Sequence, residues 1–132
     1  MPLKIKAQNI LPDANIIVVK GVTFLEFCNA LLDSGWAIDK KDNDLKTVRT
    51  EPKDYPKYWN GKYLITARVK DSTVYISGLF TLGGGEIFKG EPVSNQTDRK
   101  GKTYPKSAYS YPFLLINQFA LSFKKEVSYL KN

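Results

Sequence analysis

Two stretches near the middle of the chain alternate apolar and polar residues with a period of two. They cover Lys62–Lys70 and Thr73–Leu82, and the Asp71-Ser72 pair between them is typical of a tight turn. The alternation places one apolar set on a single side of each strand, namely Tyr63, Ile65, Ala67, Val69, Val74, Ile76, Gly78 and Phe80. The pattern therefore predicts a β-hairpin with one buried face.

Two other segments show helical spacing. Thr23 followed three residues later by Glu26 forms a capping-box signature, and Gly35 is typical of the residue that ends a helix, so a helix is predicted from Thr23 to Ser34. A second helix is predicted to begin near Pro112, with Ser110 as its cap, and its apolar stripe continues to Leu130.

The remaining patterns complete the fold prediction. Shorter strands are predicted at Leu3–Ala7, Ile16–Val19, Trp36–Lys40 and Lys46–Thr50. We therefore predict a single α+β domain over residues 1–132, in the order β-α-β-β-β-β-α. An antiparallel sheet of about four to six strands would carry two helices packed on one face. Residues 83–106 are predicted to form a long loop, in which Ile87, Phe88 and Val93 could form a hidden strand.

The chain is basic, with 20 Lys and Arg residues, 13 Asp and Glu residues and a net charge of +7. One interpretation is an anionic partner, such as nucleic acid or an anionic surface. The other is a lysine-rich, solvated surface, because only Arg49, Arg68 and Arg99 are arginines and recognition of bases and phosphates favours arginine.

Candidate catalytic chemistry is sparse. The chain has no histidine, which excludes His catalysis and zinc binding by a Cys/His set. Cys28 lies on the apolar side of the first predicted helix, where a thiol is typically a small buried hydrophobe rather than a nucleophile. Turn formation explains the clustered Asp39, Asp42 and Asp44. We therefore predict a protein that is not an enzyme and holds no cofactor or metal.

The candidate partner-binding residues combine basic and aromatic side chains. Two groups contribute, an aromatic loop before Asn60-Gly61 and the sheet face opposite the helices, and together they comprise Arg49, Tyr55, Tyr58, Trp59, Lys62, Arg68 and Tyr75. Interleaved aromatic and basic residues can stack on bases or sugars while the charges contact phosphates. The alternative is that Tyr58 and Trp59 fold back onto the core.

The run from Thr23 to Thr81 resembles small exported α+β modules of Gram-negative bacterial lipoproteins of the helix-grip type. The matching elements are Phe27-x-x-Ala30-Leu31-x-x-x-Gly35-Trp36-x-Ile38, then Thr47-x-x-Thr50-Glu51-Pro52, then the alternating strands Tyr63–Val69 and Val74–Gly78. The resemblance implies a non-enzymatic envelope domain with a protein or envelope partner, and it assigns no functional residues.

The leading functional prediction is therefore a non-enzymatic interaction module that is exported and binds a protein or envelope component. The alternative is a nucleic-acid-binding domain that uses a basic and aromatic sheet face. The first twenty residues hold no long apolar block, so neither a signal peptide nor a transmembrane segment is predicted. We expect a periplasmic or outer-membrane-associated protein if a leader was removed, and a cytoplasmic protein otherwise.

Overall fold

A long β-hairpin forms the centre of the computed structural model, which describes residues 10–54, 61–82, 91–96 and 110–132. Strand β5 (Lys62–Lys70) pairs with β6 (Thr73–Thr81) along the full length of both strands. Asp71 and Ser72 connect them with φ angles of 52° and 56°, which is the left-handed conformation of a type I′ turn. The predicted hairpin is confirmed.

Four further strands extend the sheet on both sides of this hairpin. They are β1 (Ile16–Lys20), β2 (Ile38–Asp42), β3 (Thr47–Thr50) and β8 (Val127–Leu130). The order across the sheet is β2-β3-β5-β6-β1-β8, and every pair of neighbours is antiparallel. Two bridges of two residues, β4 (Lys53–Asp54) and β7 (Glu91–Pro92), pair with the ends of β5 and β6.

The interruption between β3 and β4 is compensated by a side chain. Pro52 has no backbone N–H, and the chain leaves the sheet between Thr50 and Lys53. The hydroxyl oxygen of Thr50, which is fully buried, accepts a hydrogen bond from the backbone N–H of Ile65 at 3.0 Å. This contact satisfies a central-strand amide where the neighbouring strand is broken.

Both helices pack on the same face of the sheet. Helix α1 (Phe24–Asp33) begins with the predicted capping box between Thr23 and Glu26, and α2 (Ser110–Leu121) lies beside it. The Phe27 ring of α1 lies 5.7 Å from the Phe119 ring of α2 in an edge-to-face contact. A Cβ at Gly78 would lie 2.5 Å from Cδ1 of Ile116, so this glycine allows α2 to approach the sheet closely. The predicted α+β class, with two helices on one face of an antiparallel sheet, is confirmed.

The predicted extent of the last helix is wrong. Helix α2 ends at Leu121, and Val127–Leu130 forms β8 instead of a continued helix. Lys124 adopts a φ of 56°, which reverses the chain, and the phenol of Tyr129 then donates a hydrogen bond to Oδ1 of Asn117 at 2.8 Å. The apolar residues near the end of the chain are spaced in a way that fits both a helix and a strand. Pairing with β1 therefore decides that this segment forms a strand. Ser110 is the first residue of α2 rather than its cap, and its hydroxyl accepts from the backbone N–H of Gln96.

The predicted long loop at residues 83–106 is described only over 91–96. There β7 is followed by Val93, which is buried, and the backbone N–H of Asn95 donates to the carbonyl of Ala14. Part of this segment therefore joins the sheet beside the end of β6. Ile87, Phe88 and the predicted strand at Leu3–Ala7 lie outside the described residues.

Replacing Phe119 with alanine tests the helix packing. We expect the variant to lower the free energy of unfolding by about 3–5 kcal/mol, because it removes a buried ring that contacts both Phe27 and Phe123. Urea unfolding followed by circular dichroism measures the change. Leu25→Ala is the control, since Leu25 is 65% exposed on α1, and it should change the free energy by less than about 0.5 kcal/mol. Equal effects of the two substitutions would contradict the packing.

Candidate functional site

The sheet face opposite the helices, called the open face here, carries a shallow depression. Its volume is about 540 Å³, and its floor is formed by outward-facing residues of the central strands. Arg68 and Tyr75 are directly opposite each other there, and Thr66 is opposite Ser77. Because neighbouring residues of β5 and β6 point to opposite sides, these four side chains lie on the face that the helices leave uncovered.

Three cations at one side of the depression form what we call the basic cluster, Lys40, Arg49 and Arg68. Lys40 on β2 is directly opposite Arg49 on β3. Arg49 is opposite Thr66, two residues before Arg68, so the two arginines are diagonal neighbours roughly 7–8 Å apart at their backbones. Like charges directly opposite each other destabilise a sheet, so this arrangement costs folding free energy.

A β-bulge places Lys40 in this cluster. Ile38 pairs with Thr50 while Lys40 pairs with Arg49, so Asp39 is the extra residue in β2. Strict alternation from Ile38 would have placed Lys40 on the helix-covered side. Sequence reasoning did not select Lys40 for the site, and no local signal in β2 reveals the bulge.

Few carboxylates oppose these charges among the residues that line the depression. Lys41 also lines it, and Asp42 is the only acidic residue of the set. One oxygen of Asp42 accepts hydrogen bonds from the backbone N–H groups of Asp44 and Leu45, both at 2.9 Å, so that oxygen organises the turn. Within the described part of the chain, Arg49 and Arg68 form no ion pair within 4 Å.

The predicted site residues are only partly brought together. Arg49, Arg68 and Tyr75 share the open face and the depression. Lys62 lies on the same face, but six residues along β5 from Arg68, roughly 20 Å away, and its Nζ is 2.9 Å from Oδ1 of Asp54. Tyr55, Tyr58 and Trp59 lie outside the described residues.

The other side of the depression is apolar. Ile16 on β1 lines it, and Leu130 on β8 is directly opposite Ile16. Leu130 is 45% exposed and Tyr75 is 36% exposed, so both present apolar surface to solvent. Sequence reasoning missed this side, because Leu130 was predicted in a helix and only β8 brings it to the open face.

A second depression, of about 380 Å³, lies where α1 begins. Two of its residues, Lys41 and Lys46, hold their Nζ atoms 5.8 Å and 5.7 Å from the centre of the Phe24 ring. These distances are typical of cation–π contacts. The two lysines therefore cover a core aromatic side chain, and this second depression is explained by packing.

Cys28 and the acidic side chains of the described residues are the remaining groups with possible site chemistry. Cys28 is buried, and desolvation raises the pKa of its thiol above the usual value. Across residues 10–54, 61–82, 91–96 and 110–132, no group of three or more His, Cys, Asp or Glu side chains could hold a metal ion. In the same ranges, no helix is both long enough and apolar enough to cross a membrane.

Comparison with known proteins assigns no family. No protein-family model matches the chain, and a search of curated proteins found no significant match.

Reversing the charge of Lys40 tests the electrostatic repulsion in the basic cluster. Lys40→Glu should raise the free energy of unfolding by about 0.2–1 kcal/mol, because it replaces a repulsive pair with an attractive pair opposite Arg49. The gain should shrink as salt is added, since salt screens exposed charges. Urea unfolding at low and high ionic strength measures both effects. A loss of stability at low salt would contradict the geometry of the cluster.

Thiol labelling tests the burial of Cys28. Its pKa is raised, so at neutral pH even less thiolate is present than in an exposed cysteine, and the side chain is only 2% exposed. We expect Ellman's reagent to react slowly with the folded protein and quickly in urea. Rapid labelling of the folded protein would show that the thiol is accessible and would contradict this description of the core.

Proposed function

We propose that this protein is a non-enzymatic interaction module that binds an anionic partner through the open face of its sheet. The observation that carries the proposal is the basic cluster of Lys40, Arg49 and Arg68 in one depression. An anion between these side chains would offset their mutual repulsion. The binding free energy would therefore include the relief of a cost that is present in the unbound fold.

The guanidinium groups support this proposal more strongly than the net charge does. Arg49 and Arg68 are two of only three arginines in a chain of 20 basic residues, and the fold brings both to one site. A guanidinium presents a planar set of donors that suits carboxylate, phosphate and sulfate oxygens. We therefore assign recognition of the anion mainly to Arg49 and Arg68.

We propose that the protein is located in the bacterial envelope and that its partner is a protein or another envelope component. This part of the proposal is supported by the resemblance of Thr23–Thr81 to exported lipoprotein modules. A capped α1 followed by a Gly-aromatic turn into the sheet is the unit on which that resemblance rests.

A second candidate function, nucleic-acid binding, is favoured by one pair of opposite residues on the open face. Tyr75 is directly opposite Arg68 and is 36% exposed. An exposed ring beside a guanidinium can stack on a base while the guanidinium contacts the adjacent phosphate. The two functions differ in whether the bases contribute to affinity.

Binding to heparin fragments at several salt concentrations tests the proposal. A sulfated polymer carries the charge of an anionic partner without bases. In the double variant Arg49→Gln/Arg68→Gln, we expect the slope of log affinity against log salt to fall by about two, because two ionic contacts are lost. The control Lys124→Gln/Lys125→Gln removes the same charge from an exposed loop outside the open face, and it should leave the slope unchanged. Equal losses in both variants would show that only net charge matters and would refute the proposal.

A single-stranded oligonucleotide serves as the second probe and separates the two functions. If the protein binds nucleic acid, the oligonucleotide should bind more tightly than heparin at physiological salt, and Tyr75→Leu should weaken only the oligonucleotide complex. The expected loss is about 1–3 kcal/mol for each stacked base. If Tyr75→Leu changes neither complex, the nucleic-acid alternative fails.

A further inference from the structure

One row of side chains crosses the whole open face and changes character from one edge to the other. The pairing registers place one residue of each strand in this row, which runs Lys40, Arg49, Thr66, Ser77, Ile16 and Leu130. Ile16 falls opposite Ser77 because their chain neighbours Ile17 and Ile76 are paired. The row therefore reads cation, cation, hydroxyl, hydroxyl, aliphatic, aliphatic. We call it the graded row.

The dimensions of the graded row suit one elongated molecule. Neighbouring strands lie about 4.8 Å apart, so Arg49 and Ile16 are separated by about 14 Å and the whole row spans about 24 Å. The depression of about 540 Å³ extends along it from Lys40 to Ile16. This volume falls within the range of about 300–1,000 Å³ that is typical of sites for small organic ligands.

The two ends of the row need different chemistry from a ligand. At one end Arg49 and Lys40 favour an anionic group, and in the middle Thr66 and Ser77 offer hydroxyl groups that can donate or accept hydrogen bonds. At the other end Ile16 and Leu130 can gain free energy only by losing contact with water. A uniformly charged polymer would leave that apolar end unused and would place charge beside it.

We propose that the anionic partner is an amphiphile of the glycerolipid type, with its charged headgroup at the basic cluster and its alkyl chain over Ile16 and Leu130. Esters or hydroxyls between headgroup and chain would face Thr66 and Ser77. This inference rests on the proposed function, because it names the chemical class of the anionic partner and uses the same open face. It adds the requirement that apolar contacts at the β1–β8 edge contribute to affinity.

A monomeric short-chain phosphatidylglycerol, compared with its soluble headgroup glycerophosphoglycerol, tests the inference. We expect the lipid to bind at least roughly tenfold more tightly than the headgroup, because burial of about two methylenes already supplies that factor. Short-chain phosphatidylcholine, which has no net charge, should bind more weakly than phosphatidylglycerol. Titration calorimetry below the micelle concentration measures all three.

Two variants test the contributions of the two ends of the graded row separately. Leu130→Thr keeps a strand-forming residue and removes the apolar contact, so it should reduce lipid binding roughly tenfold without changing headgroup binding. Arg49→Gln/Arg68→Gln should weaken both. The control Leu32→Gln alters a leucine that is 53% exposed on α1, on the other side of the sheet, and should change neither. Thermal melting of each variant confirms that the fold is retained.

The results distinguish this inference from the proposed function on which it rests. Equal affinity for lipid and headgroup, or no effect of Leu130→Thr, would overturn the amphiphile while heparin binding through the arginines could still stand. Loss of heparin binding in the arginine variant together with equal lipid and headgroup affinities would leave only a simple anion site. Phosphatidylglycerol vesicles distinguish a membrane surface from a single lipid, and dependence on Leu130 in either form supports the inference.

Discussion

The register of the β5–β6 hairpin determines the rest of the structure. The left-handed pair Asp71-Ser72 sets that register, and alternation along the two strands then separates a helix-covered face from an open face. The carbonyl of Ser72 also accepts hydrogen bonds from the backbone N–H groups of Gly21 and Val22, which connects the turn to the chain between β1 and α1. A shift by one residue would bury Arg68 and expose Ile65, so the core and the candidate site depend on the same turn.

The two faces of the sheet serve different purposes. On the covered face, Phe27, Phe119 and Phe123 join both helices through ring contacts, and Gly78 allows α2 to lie close to β6. On the open face, the basic cluster places like charges opposite each other in adjacent strands, and their repulsion destabilises the folded state. This repulsion lowers stability without contributing to the core, and it supports the proposal that Arg49 and Arg68 bind an anionic partner.

Much of the fold could be predicted from local patterns. The Thr23–Glu26 capping box and the period-two alternation of β5 and β6 require only neighbouring residues, and both are confirmed. The candidate site was harder, because its members come from six strands. The alternation of the strands predicts Arg49, Lys62, Arg68 and Tyr75 on one face, and the structure places Lys62 far from the other three. Lys40 is not predicted there, because a bulge in β2 reverses its direction.

The sequence by itself determined the fold class, the hairpin and the first helix, because propensity and periodicity are local properties. Only the tertiary structure decided that the chain after Leu121 returns as a strand, since its apolar spacing satisfies both periods until it pairs with β1. That pairing places Leu130 opposite Ile16 and completes the graded row. The row exists only when distant segments are aligned in one register, and register depends on long-range hydrogen bonds that no local pattern encodes.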